Sequence, residues 1–553
     1  MNKTTLNIAG LDGGVIIKKG GGGGTTPSRP MPSRPSWTGH ADVEGLKAIG
    51  WTDEDIAYYQ ENGVNWNEED DDYHKVTDDN KALYGVLTAS NISTYSDRIV
   101  YLPKIDTSGV TNIYSMFRNC YSLVAIPQLD TSKMWGMSSM FYNCYSLVTI
   151  PKLDTSKVTN MNEMFYGCYS LVSIPELDTS SAEDMSEMFL YCYSLLSIPK
   201  LNTSKAKNMS HMFNKCYSLV SIPELDTSSA EDMSNMFSGC ISLVAIPELD
   251  TSSVTNMYGM FNGCNSLTSI PQLDTSKVTS MSRMFGDCNS LVAIPELDTS
   301  KVTSTSEMFS GCRSLVSIPQ LDTSSVTYAR MMFGDCYSLV AIPELNTSNM
   351  TNMDYMFSRC QILTSIPQLD TSKVTSMEYI FQDCTGLLSI PKLNTSKVKN
   401  MSRMFSGCIS LVAIPELDTS SVTNMYGMFY GCNSLASIPQ LDTSNVTDMS
   451  NIFYSCHSLV TIPQLNTIKV TNMNYMFNYC YSLIHVNIKN AAKAYQLNNS
   501  ALLSKESLLY LINNEAATSA ITIKLASYAY TRLAEDADVV AALAAHPNIS
   551  LAK

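Results

Sequence analysis

No cysteine of this chain lies before residue 120 or after residue 480, and no phenylalanine before 117 or after 477. Charge is scarce: 16% of residues are Asp, Glu, Lys or Arg, where about 25% is usual for soluble globular domains. A basic surplus is missing, with 51 acidic against 36 basic residues and a net charge of −15. Nucleic acid and anionic membrane surfaces demand a basic face, so neither is expected as a partner. No run of about 18 apolar residues occurs, so membrane insertion is not expected. The opening MNKTTLNIAGLDGGVIIKKGGGGG lacks an apolar core of about 7–15 residues before a small-residue cleavage site, so no secretory signal is read there. The cysteines never come in Cys-x-x-Cys pairs, the six histidines are scattered, and Gly20–Gly24 has no Lys-Ser/Thr after it. Without these spacings there is no metal site, no phosphate loop and no catalytic constellation to read, and no cofactor is expected.

What is present is periodic. The 16 cysteines run from Cys120 to Cys480 at intervals of 24, and each follows a phenylalanine by three residues. A fixed period of this size marks a repeat architecture. Residues 101–484 divide into 16 units of the form D-T-S-x-V-T-x-M-x-x-M-F-x-x-C-x-S-L-x-x-I-P-x-L. Leu follows every cysteine by three, and Ile follows by six in all but the last unit, where Val486 stands. With Leu129 and its equivalents, a Val or Ala, two Met and the Phe, each unit holds about eight apolar positions in register. One unit cannot bury such a face alone; stacked units bury it against one another. Phe261, Cys264, Leu267 and Ile270 represent this core ladder in one coil. An unoxidised cysteine packs as a small buried hydrophobe, and a shape-filling role accounts for one in every coil where pairing does not. Neighbouring coils at the usual strand spacing would leave disulfides geometrically allowed.

Within a unit, SLVAI reads as a short strand that should stop at the following Pro. DTS reads as a turn in which Asp accepts from backbone N–H groups ahead of it. Asn replaces Asp at 202, 346, 394 and 466, a swap that a turn cap tolerates and a calcium ladder would not. VTNM reads as a second short strand, and MxxMF, apolar at i, i+3 and i+4, as one helical turn. The fold class expected is therefore a solenoid, mixed β with short helical turns, forming a right-handed leucine-rich-repeat-like array with small terminal caps. Five regions follow: a docking segment (1–19), a Gly/Pro-rich linker (20–37), an N-terminal helical cap (38–100), the array (101–484) and a C-terminal α/β cap (485–553). In the first cap Asp53 is a helix N-cap and Gly63 a stop. In the last, LSKESLLYLINNEAA reads as a helix capped by Ser504, SAITIKL as a strand, YAYTRLAEDADVVAALAAHP as helical, and NISLA as a final strand.

The phrase LDTSKVTNMNEMFYGCYSLVSIP resembles the BspA-like leucine-rich repeat of bacterial surface proteins and phages. The resemblance implies a leucine-rich-repeat solenoid, a role in adhesion or recognition, and no catalytic residues to carry over.

Specificity then belongs to the variable surface positions. The residue after cysteine is Tyr in five consecutive coils, at Tyr121, Tyr145, Tyr169, Tyr193 and Tyr217. The residue after each Pro is Gln, Lys or Glu, beginning Gln128, Lys152, Glu176, Lys200 and Glu224. Tyrosine offers wide contact area and a polar tip at low entropy cost, which suits a host surface protein or a glycan; stacked tyrosines also shield and stabilise a ladder. The function expected is non-enzymatic recognition. A phage virion appendage, such as a tail fibre or host-binding protein docked through residues 1–19, is the first setting. A bacterial cell-surface adhesin is the second and an intracellular scaffold the third, with a homo-oligomer compatible with any of them. The localisation expected is a virion or the cell exterior.

Overall fold

The computed structural model describes residues 107–491, 494–514 and 520–553. The docking segment, the linker, the first cap with Asp53 and Gly63, and residues 101–106 lie outside these. From residue 107 onward the chain winds through stacked coils of 24 residues around one continuous core. Parallel single-residue bridges join Asn112 to Gly136, Gly136 to Asn160, and so on without a break to Asn472. These bridges fall at the VTNM segment, where the sequence predicts a second short strand.

The MxxMF segment takes a different path from the helical turn expected of it. Two residues per coil, one and five before the cysteine, adopt left-handed backbone: Ser115 and Asn119 in the first coil, Glu163 and Gly167 in the third. Both turn their N–H along the solenoid axis, so that Ser115 donates to the carbonyl of Ser138 and Asn119 to that of Tyr142. Phe117 donates likewise to Met140, while Met116, Arg118 and Cys120 donate three residues back within their own coil. A helix would need bonds four residues back, and bonds to the next coil replace them.

The extended segment after the cysteine also departs from a regular strand in most coils. Its repeated backbone links to the preceding coil come from the second and fourth residues after cysteine, such as Ser146 N–H to the Tyr121 carbonyl and Val148 N–H to the Val124 carbonyl. Regular strands appear at the end of the array, as β1 (Thr461–Asn466) and β2 (His485–Lys489), paired in parallel. Strand β1 runs through Pro463 and does not stop there; the register shifts between Ile462 and Leu465. A bulge lets a strand pass a residue that cannot donate.

Beyond β2 the chain forms β3 (Tyr495–Leu497), α1 (Lys505–Asn513), β4 (Ile521–Leu525), α2 (Ser527–Leu533), α3 (Ala537–Ala545) and β5 (Ile549–Ala552). Strands β3, β4 and β5 make a parallel sheet whose partners are 28 residues apart, Tyr495 with Ile523 and Ile523 with Leu551. Ser504 caps α1, its side chain accepting from Ser507 N–H. Asp536 caps α3 through Asp538 N–H, so the segment expected to be helical holds two helices, α2 and α3. These elements share the core of the coils.

Candidate recognition surfaces

The interior explains what the surface is free to vary. Phe261, Cys264 and Leu267 have no exposed area and Ile270 is buried. Phe261 lies between Phe237 and Phe285, with ring centroids 5.8 Å apart on each side, and the phenylalanine stack is unbroken from Phe117 to Phe477. All 16 cysteines are free and buried. Each thiol after the first also donates to the carbonyl of the preceding coil's phenylalanine, as Cys264 does to Phe237 at 3.1 Å. Burial pushes the Cys264 thiol well above its ordinary range.

The DTS turn joins neighbouring coils. Ser132 N–H and Oγ donate to Asp130 Oδ1 at 3.1 and 2.7 Å. Where Asn stands instead, Ser204 makes the same two bonds to Asn202. The hydrogen bonds of Ser276 hold the Asp274 carboxyl below the usual carboxylate range. In most coils the buried threonine hydroxyl between them crosses to the next coil, as Thr275 Oγ1 donates to the Asp298 carbonyl at 2.9 Å. These bonds leave the Asp row and the residue after each Pro facing outward along an open groove. Around Gln128, Lys152, Glu176 and Lys200 the groove encloses about 700 Å³, and around Gln272, Glu296 and Gln320 about 730 Å³. Lys152, Glu176, Lys200 and Glu224 are exposed along it. Gln128 is committed differently: its amide donates to the Lys152 carbonyl at 2.8 Å and braces two coils. Gln272 does the same to Glu296.

Tyr121, Tyr145, Tyr169, Tyr193 and Tyr217 form one stack with centroid separations of 4.9, 4.4, 4.8 and 4.7 Å. None of them lines the groove, so the two sequence-derived rows are separate surfaces. A second line joins the tyrosines that the sequence did not single out. Tyr142 stacks on Tyr166 at 4.3 Å, Tyr166 meets Tyr191 edge-on at 5.4 Å, and Tyr191 meets Tyr193 at 6.0 Å. Arg118 lies 3.8 Å over Tyr142 and Lys215 lies 4.9 Å from the Tyr191 ring. The eight rings make a continuous aromatic platform with cations at Tyr142 and Tyr191. Tyr142, Tyr166 and Tyr191 sit one or two residues before their cysteines, positions whose orientation is set by the left-handed turn and is invisible in apolar periodicity. Because the rings face one another, partners meet ring edges and hydroxyls. Burial pushes the Tyr169 and Tyr193 phenols up to about 12.

Among the described residues no three His, Cys, Asp or Glu side chains gather as a metal site would require. No described helix is long and apolar enough to cross a membrane.

Stacked 24-residue coils with a buried Leu, Ile, Phe and Cys ladder define a leucine-rich-repeat solenoid. The chain belongs to the family described as "Mycoplasma protein of unknown function, DUF285", which matches residues 90–196, 146–245, 233–340, 304–413, 337–437 and 409–502. No curated protein matches the chain. Among solved structures, a leucine-rich repeat protein from Eubacterium ventriosum is 17% identical, with 68% of this chain and 88% of that one covered and a TM-score of 0.29. The internalin InlF of Listeria monocytogenes is 11% identical over 65% of this chain and 93% of its own, with a TM-score of 0.21. A leucine-rich repeat protein of T. pallidum is 20% identical over 43% of this chain and 76% of its own, with a TM-score of 0.15.

Proposed function

We propose that this chain is a non-enzymatic recognition protein that binds a surface protein or glycan of another cell through its aromatic platform and, as a separate surface, the groove. The observation that carries this reading is the division of labour within each coil. Phe, Cys and Leu are invariant inside, while the residues beside them on the surface change from coil to coil. The 22 residues 240–261 recur unchanged at 408–429, seven coils on. Exchange of whole coils varies length and surface while keeping the core pattern.

The setting we favour is a phage particle, with residues 1–19 docking to the virion, the Gly/Pro-rich linker spacing, and the array displayed outward. A bacterial surface adhesin is the second reading, favoured by the BspA-like repeat. Both place the same surface against a partner outside the producing cell. The test is binding of the labelled full chain to a panel of bacterial cells and isolated envelope glycans. Tyr145→Ala with Tyr169→Ala should weaken binding by about tenfold or more, about 1.4 kcal/mol, as loss of an aromatic anchor does. Unchanged binding by this variant and by a Lys152→Glu, Lys200→Glu variant, or chemical turnover of the bound material, would overturn the reading.

A further inference from the structure

We infer that the face made by the second to seventh residues after each cysteine is the contact surface between two copies of this chain. The fourth residue after the cysteine forms an open aliphatic stripe. Leu196, Val244, Val316 and Val412 are 53%, 46%, 42% and 55% exposed, and the stripe runs through ten coils from Leu196 to Val412. Thr268 and Thr364 take the same position in two of them. The residues beside it are small, Ser or Ala at the fifth position throughout those ten coils. Soluble monomers rarely leave so long an apolar strip uncovered.

Three observations favour a second copy as the cover. The first is charge. In a chain of net charge −15, the second to seventh residues after the 16 cysteines include no Asp, Glu, Lys or Arg at all. Two copies of an acidic protein repel wherever carboxylates meet, and this is a face on which none would. The second is pitch. Ten coils repeat one knob at a constant interval, and a partner of another period would fall out of register within a few coils. A second copy has the same period by construction, and a two-fold axis through the stripe sets each row against its own equivalent. The third is size. Ten coils at about 4.8 Å and six residues at about 3.3 Å give roughly 45 by 20 Å. That is roughly 900 Å², close to the ~800 Å² each partner contributes to a stable interface.

The test uses the full chain in sedimentation equilibrium over a concentration series. Twice the chain mass is expected for the natural sequence, and Val244→Asp with Val316→Asp should weaken association about tenfold or more. A second variant does not depend on tolerance of a charge. Because the native thiols are buried, Val316→Cys adds the one accessible thiol, and mild oxidation should link two copies through it. Lys301→Cys, exposed but off the face, should give little linked product. A natural chain that stays monomeric throughout the series overturns the inference. So does association that the Asp variant leaves intact, or equal cross-linking from the two cysteine variants.

Discussion

At the scale of single residues, the array is held by conformations that side chains ordinarily avoid. Two residues in each of the 16 coils are left-handed; eight of these positions are glycine and 24 carry a side chain. Left-handed backbone costs a side-chain-bearing residue roughly 1–2 kcal/mol, and the bonds its N–H makes to the next coil offset this. Ser455 is one such residue, donating to the Asn478 carbonyl. Ser455→Gly should raise stability to urea by about 1 kcal/mol. Gly239→Ala should lower it, because a Cβ there would stand 2.9 Å from Lys215 Cγ. The cysteines answer to packing and to one weak bond each. Cys264→Ala removes both and should cost about 1–2 kcal/mol. A thiol reagent should find few groups in the folded chain and close to 16 in denaturant.

Single elements show where sequence reading succeeds and where it stops. The period, the buried positions and the turn at DTS are legible because each rests on a local rule repeated 16 times. The helical turn at MxxMF is not, since apolar spacing of three and four describes consecutive tight turns as well as a helix. The enrichment of Gly, Asn and Asp immediately before cysteine, as at Asn119, Gly167 and Asp287, was the available signal. The residues after Pro read as free surface, yet Gln128 and Gln272 brace coils, because their amides reach a carbonyl 24 residues on. The aromatic platform was half visible: one Tyr row lies on the cysteine ladder, while Tyr142, Tyr166 and Tyr191 join it only through the turn geometry. Inter-coil side-chain bonds give a sharp contrast. Thr275→Val leaves the Asp298 carbonyl short of a donor and should cost about 1–2 kcal/mol in urea unfolding. Thr155 is equally buried, but its hydroxyl has no partner. Thr155→Val should therefore be neutral or stabilising, and an equal loss at both sites would show that these hydroxyls do not tie the coils together.

At the scale of the whole molecule, stability and shape should be sums over coils and their neighbours, as in other quasi-one-dimensional arrays. The 16 coils at about 4.8 Å should extend for roughly 75 Å. The repeated 22-residue segment allows a deletion with no foreign junction. Removing residues 240–407 joins Gly239 to the second copy of the phrase and takes out seven whole coils. Small-angle scattering of this shortened chain beside the full one tests the stacked-coil account most directly. The account expects a folded protein with its remaining nine cysteines still protected and a solenoid shorter by roughly 35 Å, seven coils at about 4.8 Å each. A shortened chain that fails to fold, or that keeps the length of the parent, would contradict it.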